Sequence, residues 1–251
     1  MQHIDINCDM GEIPKAIADG TQESLMKWIS SANIACGGHA GDSKTMESTV
    51  RQALRHNLAI GAHPGYPDRE NFGRIELQLS PSEVSEFVQE QVEALAAIAS
   101  RLGAKVRHVK PHGALYNQAV HNAELTAAIA EGVARWNREV VLVGLAGSSM
   151  LDVFRKAGFT ASAEAFADRL YEPEGTLRAR KHDDALIRDP EAAARQAVGI
   201  ALQGKIVARG GQEIPVNAQT LCIHGDTHGS DKIAAAVAKA LARAGVSVQP
   251  L

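Results

Sequence analysis

Seven times along the chain a short β-type run is followed by a helical pattern, and this alternation restricts the fold more than any other feature. The runs are His3 to Cys8, Ala32 to Cys36, Leu58 to Ala62, Val106 to Lys110, Val140 to Leu145, Thr160 to Ala165 and Leu221 to His224. Between and after them, helices are predicted over Glu23 to Ser30, Ser43 to His56, Pro81 to Leu102, Asn122 to Trp136, Ser149 to Lys156, from Pro190 onward, and over Ile233 to Ala244. Strand–helix repetition of this kind gives parallel sheets with right-handed crossovers. Seven crossovers in series wrap into a (β/α) barrel, so the expectation is the α/β class and one TIM-like, seven-stranded domain over residues 1–251. No eighth strand is expected, because Val246 to Val248 is too short. Helix signals are sharpest at Ser80-Pro81-Ser82-Glu83, which joins an N-cap serine, a proline at N1 and a capping-box glutamate. The polar loop from Pro64 to Arg74 has the length of a lid.

In such barrels the reactive groups gather at the C-terminal ends of the strands. The fourth run shows the pattern: Pro111 cannot donate a ladder hydrogen bond and stops the strand, and His108, Lys110 and His112 share one face. Strand one carries Asp5, Asn7 and Asp9 on one face and Ile4, Ile6 and Cys8 on the other. Asn33 lies on strand two and His39 in its loop, strand three ends in His63, strand six offers Glu164, and strand seven ends in His224 and Asp226. Of ten histidines, four (His39, His63, His112 and His224) stand at or just past a strand end beside glycine. Any one of these residues alone has an ordinary structural explanation. Together they fill a barrel mouth with ionisable groups, which is costly unless they act on something.

A net charge of −3 with no basic run excludes a nucleic-acid or membrane-surface role, and no apolar stretch is long enough to cross a bilayer. The opening residues, Met1 to Asp9, run directly into a strand, which favours a cytoplasmic protein. Cys8, Cys36 and Cys222 are dispersed and odd in number, so buried free thiols are expected. The stretch Gly38 to Thr45 imitates a phosphate loop but lacks glycine before Lys44, and no Gly-x-Ser-x-Gly elbow occurs. A divalent metal on Asp9, His39 and His63 is left open, without the spacing of a standard motif.

Six blocks carry a resemblance: Ile4 to Glu12, Ser31 to Asp42, Gly61 to Asp68, Val109 to Asn117, Glu164 to Tyr171 and Ile223 to Asp226. In combination they resemble the LamB/YcsF family over nearly the whole chain; only Leu177 to Asp184 is more charged than that pattern. The resemblance implies a barrel related to polysaccharide deacetylases. It also implies the A component of a bacterial ATP-dependent 5-oxoprolinase, acting with subunits B and C to open 5-oxoproline to glutamate, with ATP as co-substrate of the complex.

The chemistry can be reasoned separately. A five-membered lactam is an unreactive amide, and phosphorylating its oxygen creates an imidate carbon that water can attack. Such a site needs a base, a cation and donors for the substrate carboxylate. Lys110 suits the cation, with Asp9, Glu164, His63 or His112 as acid–base candidates. Asn7, Asn33, His39, Arg169, Arg180, His224 and Asp226 are the candidate substrate-binding groups. Without a phosphate loop, the chain is expected to leave phosphorylation to a partner. Because Lys110 ends a strand at the mouth, its removal is expected to spare the fold. Two other readings stay open: a metal-dependent deacetylase of amino sugars, and a non-catalytic barrel that binds a small acid and regulates a partner. Self-association is also left open.

Overall fold

The computed structural model describes residues 2–227 and 229–251. Met1, the first residue of the stretch expected to run into strand one, and His228, one of the ten histidines, lie outside the described residues. The chain opens with β1 (His3–Met10), the short helices α1 (Pro14–Ala18) and α2 (Thr21–Met26), β2 (Ser31–Ala35) and α3 (Ser43–Arg55). It continues through β3 (Ala59–His63), α4 (Pro81–Arg101), β4 (Val106–Val109), α5 (Gly113–Ala119), α6 (Ala123–Trp136), β5 (Val141–Leu145), α7 (Met150–Lys156) and β6 (Thr160–Phe166). After a long loop come α8 (Pro190–Val198) with a π-helical turn, the hairpin β7 (Lys205–Val207) and β8 (Glu213–Pro215), β9 (Thr220–Ile223), α9 (Ser230–Arg243) and β10 (Ser247–Val248).

Strands β1 to β6 pair in sequence order, β6 pairs with β9, and β9 returns to β1, all in parallel. Seven strands therefore close the barrel, as the alternation required. Strand parity does the rest. Ile4, Ile6, Cys8 and Met10 of β1 face the surrounding core, while Asp5, Asn7 and Asp9 bond to side chains of other barrel strands. The expected cap forms, Ser80 and Glu83 making a capping box on α4; Asp189 also caps α8, and Asp42 caps α3.

Four expectations about elements need correction. The first helix is not one segment over Glu23 to Ser30 but the pair α1 and α2. Ser30 is drawn out of it because its hydroxyl donates to Asp5 Oδ1 at 2.6 Å. An eighth strand exists in minimal form, β10, which pairs with His3 and Ile4 of β1 outside the closed ring. The antiparallel hairpin β7–β8 and helix α5 are additions to the expected elements. The Pro64–Arg74 loop is tied down instead of hanging as a lid. Arg69 donates to the Gly37 and Gly41 carbonyls, and Gly73 O accepts from Ala114 N at 2.9 Å.

Candidate functional site

The barrel interior is polar and layered. At its base, Asp5 Oδ1 accepts from the Ser30 and Ser31 hydroxyls at 2.6 Å each, and Oδ2 accepts from Thr220. Burial, the strongest influence, still holds the Asp5 acid above its ordinary range. One layer up, Asn33 donates to Asn7 Oδ1 (2.7 Å) and Asp9 Oδ1 (2.8 Å), and His108 Nε2 donates to Asn33 Oδ1 (2.7 Å). His108 fits only because strand neighbour 61 is glycine, where a Cβ would meet its Nε2 at 2.0 Å.

Lys110 stands at the centre of the next layer. Its ammonium lies 2.8 Å from Glu164 Oε1, 3.1 Å from Asp9 Oδ1, 3.1 Å from Asn7 Oδ1 and 3.0 Å from Cys222 Sγ. Burial works hardest against the Lys110 charge, but the Asp9 and Glu164 carboxylates outweigh it and hold the group well above the usual lysine range. For Asp9 too, burial opposes ionisation. His63, when protonated, and Lys110 reverse the effect and hold its carboxyl well below the usual range. All three cysteines are buried free thiols, as expected. Cys222 faces inward beside Lys110, and burial pushes its thiol well above the ordinary value, so it is no thiolate nucleophile.

Above this layer a cavity of about 520 Å³ opens. Asp9, His63, Lys110, His112, Phe166 and His224 line its inner end, and Arg74, Arg169, Arg180 and Lys181 its outer walls. Phe166 stacks on His224, with ring centroids 5.5 Å apart. The His224 Nδ1 donates to Asp168 (2.9 Å to Oδ1), which also accepts the His224 backbone N–H. Asp168 thereby fixes the ring with Nε2 left for the cavity it lines.

The positions chosen from sequence thus divide. Asp9, His63, Lys110, His112, Arg169, Arg180 and His224 line one cavity. Asn7, Asn33 and Glu164 lie beneath it, buried, and reach it only through Lys110 and Asp9. His39 is packed behind His63 and His112, its ring flat on His112 at 3.6 Å. Asp226 is placed not against the cavity wall but between Arg180 (2.9 Å) and Arg74, tying two loops together across the mouth. Burial opposes the Asp226 charge, and Arg180 brings the carboxyl below its usual range.

Four partners carry no clear mark in the sequence: Glu12, Arg74, Asp168 and Cys222. Glu12 matters most, because its Oε1 lies 2.9 Å from His39 Nε2, 3.2 Å from His112 Nδ1 and 3.8 Å from His63 Nε2. Among the described residues, the donor atoms of Glu12, His39, His63 and His112 lie within 4.8 Å of one another, a group that Asp9 does not join. The only signal is a carboxylate one residue past a strand-end glycine, the same setting as the histidines.

The stretch imitating a phosphate loop binds itself. Asp42 Oδ1 takes the Lys44 and Thr45 amides at 2.9 and 2.8 Å, the donors a phosphate would need. Among the described residues no helix is long and apolar enough to cross a membrane.

The closed seven-stranded parallel barrel is a fold found in other solved proteins. A structure of a variant of the peptidoglycan deacetylase PdaC from Bacillus subtilis shares this fold. It matches at a TM-score of 0.50 and 13% identity, covering 100% of this chain and 88% of that one. Much nearer is the crystal structure of a lactam utilization protein from Thermus thermophilus, at a TM-score of 0.92 and 42% identity over 99% of this chain and 100% of that one. A protein of Chloroflexus aggregans named as the A component of 5-oxoprolinase is 48% identical over 249 residues, 99% of each chain. The LamB/YcsF family model matches residues 4–251. The chain belongs to the LamB/YcsF family.

Proposed function

We propose that this chain opens the lactam ring of 5-oxoproline as the A component of an ATP-dependent 5-oxoprolinase, with partner subunits B and C carrying the ATP step. The observation that carries the reading is the cavity itself. One buried ammonium, Lys110, and one carboxylate, Asp9, meet at its inner end 3.1 Å apart, below walls bearing Arg169, Arg180 and Lys181. A small substrate that is anionic, and more so once phosphorylated, suits such walls, and the names of the relatives agree with a lactam.

Chemically, ATP places a phosphoryl group on the lactam oxygen outside this chain. Water then adds to the activated ring carbon, giving its proton to a base, and the C–N bond breaks as the nitrogen gains a proton. A second water releases phosphate from the resulting acyl phosphate, leaving glutamate. Asp9 is the best-placed base: its side chain is 12% exposed at the cavity, whereas Glu164 is fully buried beneath Lys110. Lys110 stabilises oxygen charge as it develops on the ring carbon. His224, oriented by Asp168, is placed to deliver the proton to the leaving nitrogen.

The test is glutamate release from 5-oxoproline and ATP by the chain reconstituted with both partners. Release that requires all three supports the proposal. Release by the partners alone, or acetate release from an N-acetylated amino sugar by this chain alone, overturns it.

A further inference from the structure

Each ring nitrogen of His63 and His112 can be assigned from its partner. His63 Nδ1 lies 2.7 Å from the Lys110 carbonyl oxygen, which only accepts, so that nitrogen carries the hydrogen. His112 Nε2 lies 2.9 Å from the Phe72 carbonyl oxygen and carries its hydrogen for the same reason. With both rings neutral, the form in which histidine binds a metal, the remaining nitrogens, His63 Nε2 and His112 Nδ1, turn lone pairs toward each other at 3.0 Å. Glu12 Oε1 joins them at 3.8 and 3.2 Å. Three buried acceptors converge on one point, which is unfavourable unless a cation sits among them.

We infer that Glu12, His63 and His112 hold a divalent transition-metal ion of the zinc class, with His39 positioning Glu12. Donor separations of 3.0 to 3.8 Å bracket the edge, roughly 3.3 Å, of a tetrahedron whose ligands stand ~2.0–2.1 Å from zinc. Two neutral imidazoles and a carboxylate are a donor set that suits zinc, manganese or iron. The outward nitrogens of both imidazoles already donate to backbone carbonyls, the arrangement that fixes metal-binding histidines. His39 is not a further ligand. Its ring is parallel to that of His112 within 3°, so the two in-plane lone pairs cannot meet at one ion. It donates instead from Nε2 to Glu12, at 2.9 Å. Gly65 and Gly73 make room for it, since a Cβ at either would come within 2.7 Å of His39. The point where the lone pairs meet opens toward the cavity beside Asp9, whose Oδ2 is 3.3 Å from His63 Nε2. An ion held there would supply Lewis-acid polarisation at the inner end of the cavity.

The ion is inferred from side-chain geometry, and only its use in catalysis rests on the proposed function. The test therefore needs no substrate. The full chain, stripped with chelator, is titrated with Zn²⁺ by calorimetry, and the zinc-loaded protein is examined by X-ray absorption. One zinc per chain is expected, with two imidazole nitrogens and carboxylate oxygen in its shell and no sulfur. Glu12→Gln and His63→Gln should abolish tight binding, and His39→Leu should weaken it ~10–100-fold. His121→Gln, on the cavity wall outside the cluster, should bind as wild type does. Should a ligand variant fail to give a cooperative melt, the absorption spectrum of the wild-type protein decides. Failure of the wild-type chain to bind zinc, a shell containing sulfur, or full retention of binding in both folded ligand variants overturns the inference. The first of these outcomes would assign the shared cation to a proton on the histidine pair.

Discussion

Replacing Lys110 with methionine should unfold the protein more readily as well as inactivate it. The ammonium is 3% exposed and holds two carboxylates, Glu164 Oε1 at 2.8 Å and Asp9 Oδ1 at 3.1 Å. At an effective dielectric near 20, Coulomb attraction at these separations is about 5–6 kcal/mol per pair, most of which offsets the cost of taking the charges out of water. The pair adds little beyond that, but its interruption is expensive, because methionine fills the space and leaves Glu164 fully buried and unpaired. Breaking a buried pair from one side costs about 3–5 kcal/mol. For a chain of this length that is roughly 6–20 °C in melting temperature. The double variant Lys110→Met/Glu164→Gln removes the stranded charge and should recover a large part of the loss while staying inactive. The sign with pH follows from the shifts. Lys110, raised, contributes below its unfolded value and loses that contribution as pH rises through its folded one. Asp9, lowered, contributes above its unfolded value and loses it as pH falls. Urea denaturation near pH 7, with turnover measured on the same samples, reads both effects. A single variant as stable as wild type, or a double variant no better than the single, would refute the coupling and restore the expectation that Lys110 is dispensable to the fold.

Asp9→Asn should cut turnover ~10²–10⁴-fold and, because Asp9 also balances Lys110 and His63, should lower the melting temperature too; normal turnover in the complex would remove Asp9 from the chemistry. Asp5→Ala strands three hydroxyls at the barrel base and should cost ~1–3 kcal/mol or more in denaturation experiments, with turnover per folded molecule unchanged. Gly61→Ala sets a methyl 2.0 Å from His108 Nε2 and should cost at least ~1–3 kcal/mol; an unchanged melt would mean that the ring moves freely. Burial, helped by Lys110, pushes the His108 imidazole down to about 3, so only the unfolded chain takes up that proton as pH falls below ~6.5. Stability should then drop by ~1.4 kcal/mol per pH unit from this residue alone, and denaturation of His108→Gln between pH 7 and 5 should show a correspondingly shallower slope.

What is legible in the sequence follows the reach of strand periodicity. Parity fixes every in-strand position, so the stack Asp5, Asn7, Asp9 and its opposite face can be assigned without knowing any contact, and closure of the barrel turns each stack inward. The caps at Ser80, Asp42 and Asp189 are equally local, each declared within four residues. The errors fall where local signals are weak or compete. A helical pattern runs on to Ser30 because nothing nearby shows that its hydroxyl is needed by Asp5, 25 residues earlier. The β7–β8 hairpin does leave a mark, the Gly210-Gly211 pair between β-type runs, but its strands are only three residues each.

The candidate ligands mark the same boundary from the other side. His63 ends a strand and is visible; Glu12 follows Gly11, whose φ of 77° breaks the alternation, so parity says nothing about where its carboxylate turns. What brings Glu12 to His112 is the barrel's curvature, since β1 and β4 are three strands apart in the ring yet their trailing loops share one mouth. A closed barrel therefore separates two kinds of polar residue. Those inside strands, such as Asn7, Asn33 and Glu164, build the support beneath the cavity and obey a period of two. Those just beyond the strand ends, such as Glu12 and His112, converge on one point with no period at all, with His39 behind them holding Glu12. The supporting network is for that reason predictable from sequence, whereas the ligand set needs the three-dimensional ring. Substitutions should divide along the same line: changes at the first group should register in stability, and changes at the second in metal content and turnover.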